Sequence, residues 1–126
     1  MRTSQSFVLN YYGWSWSVDV GPAFDSYVKM RNPEYRPEWT QYNYPVELTW
    51  EVLVEKIDAD HPMVFLVDTD ADGATDHFVA VVGYRDDTVQ EYGCLTTWPP
   101  EDVVQWFQFR GMSTEWAWGV SRGWSF

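Results

Sequence analysis

His61-Pro62-Met63-Val64-Phe65-Leu66-Val67-Asp68-Thr69-Asp70-Ala71-Asp72-Gly73-Ala74-Thr75-Asp76-His77-Phe78-Val79-Ala80-Val81-Val82-Gly83-Tyr84-Arg85-Asp86-Asp87 is the stretch on which the reading of this chain turns. It holds two apolar runs, Met63 to Val67 and Phe78 to Val82, each short and rich in β-branched or aromatic residues, with a polar Asp/Gly cluster between them. The pattern predicts two buried strands joined by a loop. Asp76-His77 opens the second strand, so an imidazole sits where a strand leaves a loop, a place from which a scaffold can present a catalytic or ligating group.

Working back towards the N-terminus, Thr49 caps the clearest helix. Its Trp50, Leu53, Val54 and Ile57 form a three-four spaced stripe, its Glu51 and Glu55 lie on the solvent side, and it ends near Asp58. Pro33, Pro37 and Pro45 punctuate a Tyr-rich stretch from Arg31 to Pro45, which reads as an ordered surface loop. Gly21-Pro22 opens a short helix, Ala23 to Arg31, after the alternating Trp, Ser and Val residues of Trp14 to Val20. A first helix is expected from Thr3 or Ser4, which cap it, through Phe7, Val8, Tyr11 and Tyr12 to Gly13.

Towards the C-terminus, Asp86-Asp87 predicts a turn and Val89 to Thr97 a third strand, which makes a meander. Pro99-Pro100-Glu101-Asp102 has the form of a helix start, with Val103, Trp106 and Phe107 facing inward until Gly111. Trp116, Trp118 and Val120 alternate as a closing strand would. Helices first and antiparallel strands after define an α+β class, and the length of 126 residues suits one domain, residues 1-126.

Composition narrows the partners. The formal net charge of −11, from 19 acidic and 8 basic residues, repels phosphate-rich polymers, and no basic stripe exists for DNA or RNA. No window reaches the length of an apolar membrane span, and no signal peptide is legible in the chain as given. A single cysteine, Cys94, leaves the compartment open. Nine Trp, eight Tyr and seven Phe supply too much ring surface for disorder and imply a core or cleft built of large side chains.

Four features carry chemistry, each with a plainer counterpart. His77 is either a general base, its ordinary pKa lying near neutrality, or a hydrogen-bonded strand residue. Asp68, Asp70 and Asp72, with Gly73 after them, match the front half of an EF-hand-type loop, and Asp76 at its ninth position offers a late ligand. The twelfth position is Val79 rather than Glu, so the alternatives are a weak calcium site and a solvated acidic loop. Cys94 is a nucleophile or a small buried residue, and the latter is the commoner role of a free thiol. The Trp-rich tail is core or an exposed stacking platform for sugars.

The run Asp76-His77-Phe78-Val79-Ala80-Val81-Val82-Gly83-Tyr84-Arg85-Asp86, behind a Trp50-to-Asp58 helix and His61-Pro62-Met63-Val64, resembles the histidine half of papain-like cysteine peptidases of the bacteriocin-leader-processing, double-glycine type. In that family a helix precedes a Gly-x-Pro-Val strand and then a His-Phe/Trp-Val-x-Val-x-Gly-Tyr strand. Thr3 to Gly13 resembles the remainder of the helix that begins at the family's Cys-Gly-Pro-Thr, which puts the nucleophile just before Met1. A second register lays Val20-Gly21-Pro22 on Cys-Gly-Pro and puts valine there. Under either register the thiol is missing, and the oxyanion-hole glutamine expected upstream of the cysteine also falls outside the chain, Gln5 lying on the wrong side of that position to replace it. The third catalytic position, an Asp or Asn in the family, falls on Thr96 within Tyr92-Gly93-Cys94-Leu95-Thr96-Thr97-Trp98.

The resemblance implies a papain-like fold with N-terminal helices packed on an antiparallel sheet, a peptide or protein substrate in the parent family, and catalysis centred on His77 and Thr96. No cofactor is required by that chemistry, and calcium is the one optional ion. Without a nucleophile the expectation is a truncated or degenerate peptidase domain, inactive as given, its exposed apolar surface covered by self-association into a homodimer. The competing expectation is a non-catalytic peptide- or glycan-binding module with an aromatic cleft and a calcium loop.

Overall fold

A computed structural model describes residues 15–126. In chain order a 3-10 helix (Ser17–Asp19) leads into α1 (Val20–Arg31), then β1 (Thr40–Asn43), α2 (Trp50–Asp58), β2 (Met63–Asp68), β3 (His77–Asp86), β4 (Gln90–Leu95), β5 (Gln105–Gln108) and β6 (Gly119–Ser125). The class is α+β, with one six-stranded sheet in the order β1-β6-β2-β3-β4-β5. The helix expected at Thr3 to Gly13 lies outside the described residues.

The chain gathers into two compact units, Met1–Thr40 and Gln41–Phe126. Within the first, Pro22 occupies the opening turn of α1, where its missing N–H costs nothing. Gly21 leaves room for the Trp39 indole, which an added Cβ would meet at 2.2 Å. Residues 1–40 hold four acidic and four basic side chains, so the whole net charge of −11 belongs to the second unit.

The second unit is built on β2. β2 pairs antiparallel with β3, from Met63↔Val81 to Val67↔His77, and on its other edge with β6, from Met63↔Ser125 to Asp68↔Gly119, with a bulge between Leu66 and Val67. Pairing on both edges and cover on both faces explain the continuous apolar reading of Met63 to Val67. On one face Met63, Phe65, Val67, Val79, Val81, Tyr92, Cys94 and Val120 meet Leu48 and Leu53 in the core. Gly123 allows the Phe65 ring to lie against β6, where a Cβ would meet it at 2.8 Å.

α2 forms as its stripe predicts. The Thr49 hydroxyl accepts from the Val52 N–H at 3.4 Å, Leu53 is fully buried, and Trp50 meets Tyr84 edge-to-face at 5.7 Å. The Tyr84 hydroxyl donates to Asp58 at 2.8 Å, tying β3 to the end of the helix and raising the phenol's pKa.

Three expectations need correction. The segment read as a helix from Pro99 to Gly111 contains β5 instead: Tyr92↔Phe107 and Gly93↔Trp106 continue the meander. Trp106 and Phe107 sit on opposite faces of the sheet. Trp106 fills the space above Gly83 and Gly93, while Phe107 meets Tyr92. Neighbouring large residues mimic helical spacing when each has its own pocket. The Arg31-to-Pro45 loop contains an edge strand, β1, and the closing strand begins only at Gly119, after Trp116 and Trp118.

Urea denaturation should rank two substitutions. Thr49→Ala removes one cap and costs about 1 kcal/mol, whereas Phe65→Ala opens the core and costs about 3–5 kcal/mol. Equal losses would show that the cap supports more than its own helix.

Candidate functional site

His77 opens β3 and pairs with Val67. Its Nε2–H donates to the Thr96 carbonyl oxygen at 2.5 Å; an acceptor of that kind fixes the proton on Nε2 in the neutral ring and leaves Nδ1 as the lone-pair nitrogen. Among the described residues no group is bonded to Nδ1. The imidazole stacks on the Trp98 indole, centroids 4.0 Å apart and planes inclined by 23°. Trp98 remains 45% exposed, so the stack faces solvent.

The structure brings His77 and Thr96 together through the Thr96 backbone carbonyl. Thr96 is only 1% exposed, and its hydroxyl is engaged elsewhere: it accepts from Gln105 Nε2 at 3.0 Å and lies 3.4 Å from both the N–H and the carbonyl of Trp98. Thr97 takes φ of +62°, a costly conformation for a β-branched residue, and this reverses the chain so that Trp98 returns over the imidazole.

Aromatic rings extend the site inward. Trp98 meets Trp118 edge-on at 6.0 Å, and Trp118 stacks on Phe107 at 4.0 Å and 11°. Trp118 also has positive φ, +63°, and is held on both sides: its N–H donates to the Asp68 carbonyl at 2.6 Å, and the buried Tyr92 hydroxyl donates to its carbonyl at 3.0 Å. Trp124 is wholly buried. The tail is therefore core at Trp124 and partly open at Trp116 and Trp118, the latter bordering Trp98 beside His77.

The acidic loop precedes His77. Asp68, fully buried, accepts from Ala71 N–H at 2.8 Å and Asp70 N–H at 3.3 Å on one oxygen and from Gly73 N–H at 2.9 Å on the other. Asp70 accepts from Asp72 N–H and Asp72 from Ala74 N–H, and Gly73 adopts φ of +87°. One carboxylate oxygen from each of Asp68, Asp70 and Asp72 falls within 4.8 Å of the others. Lost solvation, and next the charge of Asp72, raise the Asp70 pKa. Asp76 stands apart from this trio, its carboxylate accepting from Thr69 N–H at 3.0 Å and from the Thr69 hydroxyl at 2.5 Å.

Cys94 faces the core opposite Val81, four residues along β3 from His77. Burial pushes the thiol up to about 12. It is a packing residue. Sequence reasoning missed Gln105 and Trp118, whose roles depend on pairings between distant strands.

Comparison with protein-family models, with curated proteins and with solved structures returns no match.

Burial gives the site's surroundings an alkaline limit. Cys94 and Tyr92 both hold their protons more tightly when folded than when unfolded. The Cys94 contribution is therefore complete below about pH 9 and is lost as pH rises through about 12, while that of Tyr92 persists to higher pH. Urea midpoints should fall over that window, less steeply in Cys94→Ala, and the native thiol should resist a disulfide reagent near pH 8 until the chain unfolds. Full-rate labelling of the folded protein would overturn the assignment of Cys94 to the core.

Proposed function

We propose that this chain carries a truncated or degenerate papain-like cysteine peptidase domain, inactive as given, that keeps a peptide-binding scaffold. The observation that carries the reading is the imidazole of His77, held at the start of a buried strand with Nε2–H on the Thr96 carbonyl and Nδ1 free to accept a proton. In a papain-like mechanism that nitrogen faces the thiol, while the residue at the place of Thr96 orients the ring. The run His77-Phe78-Val79-Ala80-Val81-Val82-Gly83-Tyr84 and the capped helix before it support the same likeness.

The chemistry follows from what surrounds the ring. A neutral imidazole pinned in this tautomer takes a proton at Nδ1, but the carbonyl behind it has only a partial charge and stabilises an imidazolium less than a carboxylate does. The sole thiol, Cys94, is buried and protonated. With nothing to activate, Nδ1 serves as an acceptor for a peptide N–H, and the exposed Trp98 face supports small residues such as the glycine pair of the parent family's substrates.

Calorimetric titration with a Gly-Gly-containing peptide tests this, with mass spectrometry of the mixture. Binding without cleavage is expected, weakened about tenfold or more in His77→Ala and in Trp98→Ala. Absence of binding, or cleavage by the wild-type chain, would overturn it.

A second reading adds calcium at Asp68, Asp70 and Asp72, favoured by the convergence of their oxygens and by the raised pKa of Asp70, which comes from lost solvation and, next, from the charge of Asp72 that a divalent cation would offset. Calcium should raise the melting temperature of the wild type but not of Asp70→Asn/Asp72→Asn, and its effect should weaken as acid protonates Asp70. A flat wild-type titration would remove the ion from the account.

A further inference from the structure

Four partly buried hydrogen bonds around Thr96 point beyond His77 itself. Thr96 stands between the imidazole on one side and strand β5 on the other. Its carbonyl accepts the His77 Nε2–H, and its hydroxyl accepts from the Gln105 side-chain amide while closing on both backbone groups of Trp98. Gln105 pairs with Cys94, two residues before Thr96 on the same face of β4, so its side chain reaches Thr96 diagonally across the sheet. Thr97 alone would not choose this turn, since φ of +62° costs a β-branched residue energy that the neighbouring bonds must offset.

We infer that Gln105 is the positioning residue of the His77 site: through the Thr96 hydroxyl it sets the Thr96–Trp98 turn, and that turn fixes both the imidazole tautomer and the indole stacked on it. The amide's donor is directed at a hydroxyl that must also serve Trp98, so loss of the amide frees the hydroxyl to rotate. The turn then loosens at its strained residue. The carbonyl leaves its line to Nε2, and Trp98 leaves the ring. The inference rests on the peptide-binding reading for its purpose but not for its geometry.

The test uses the whole chain labelled with nitrogen-15, at a pH where the imidazole is neutral. Long-range proton–nitrogen correlations report the His77 tautomer, and the ring-current displacement of its carbon-bound protons reports the Trp98 stack. Wild type should show the Nε2–H form alone with displaced ring protons. Gln105→Leu and Thr96→Val should show both tautomers and lose the displacement, with peptide affinity down about fivefold, the equivalent of one hydrogen bond. Thr96→Ser, which keeps the hydroxyl, should behave as wild type.

If Gln105→Leu does not fold, Thr96→Val against Thr96→Ser decides the matter alone. Retention of a pure Nε2–H tautomer and of the stack in the variants that fold would overturn the inference, whatever the peptide does. A tautomer that responds as expected in a chain that binds no peptide would uphold Gln105 and defeat the functional reading instead.

Discussion

Strand β2 is paired along both edges, and the second unit depends on that double pairing. One partner is near in sequence: β3 follows through the acidic loop, which Asp68 closes by accepting backbone N–H groups from both sides of its bend. The other is far, because β6 must cross back over the finished meander to reach the free edge of β2. A strand with both edges satisfied and both faces covered leaves no backbone group exposed to a dry interior, which is what lets Phe65 and Val67 sit fully buried at its centre. The price of the arrangement is non-local chain closure, the slow and costly part of assembling such a sheet.

The same closure assembles the His77 site. Trp118 reaches its place only after the return towards β6, where the Asp68 carbonyl and the Tyr92 hydroxyl grip its backbone in a positive-φ conformation. Its ring then stacks on Phe107 of β5 and borders Trp98, which covers the imidazole. Among the described residues, two of the four non-glycine residues with positive φ, Thr97 and Trp118, flank this one cluster. Strain of about 1–3 kcal/mol at each persists because surrounding bonds over-determine it.

Charge is divided as unevenly as strain. The net −11 resides entirely in residues 41–126, and part of it crowds the loop immediately before His77. Asp68 and Asp76 spend their oxygens on backbone and Thr69 bonds, but Asp70 and Asp72 remain exposed, and lost solvation followed by the charge of Asp72 raises the Asp70 pKa.

The sequence by itself determined the local elements: the Thr49 cap and its apolar stripe made α2, the β-branched runs made β2 and β3, and the alternating carboxylates with Gly73 made the bend between them. Such features depend on residues a few positions apart, whose spacing is written in the chain. It also marked His77 and Thr96 as neighbours, by family likeness rather than by physics. Only tertiary structure decided that Thr96 would act through its carbonyl, that Gln105 would hold its hydroxyl, and that Pro99 to Gly111 would hold a strand. Those outcomes turn on which strand edge lies free to pair and which glycine leaves room for a ring. Both are properties of the assembled sheet, and a helix-like spacing of Val103, Trp106 and Phe107 cannot reveal that Gly93 waits opposite Trp106.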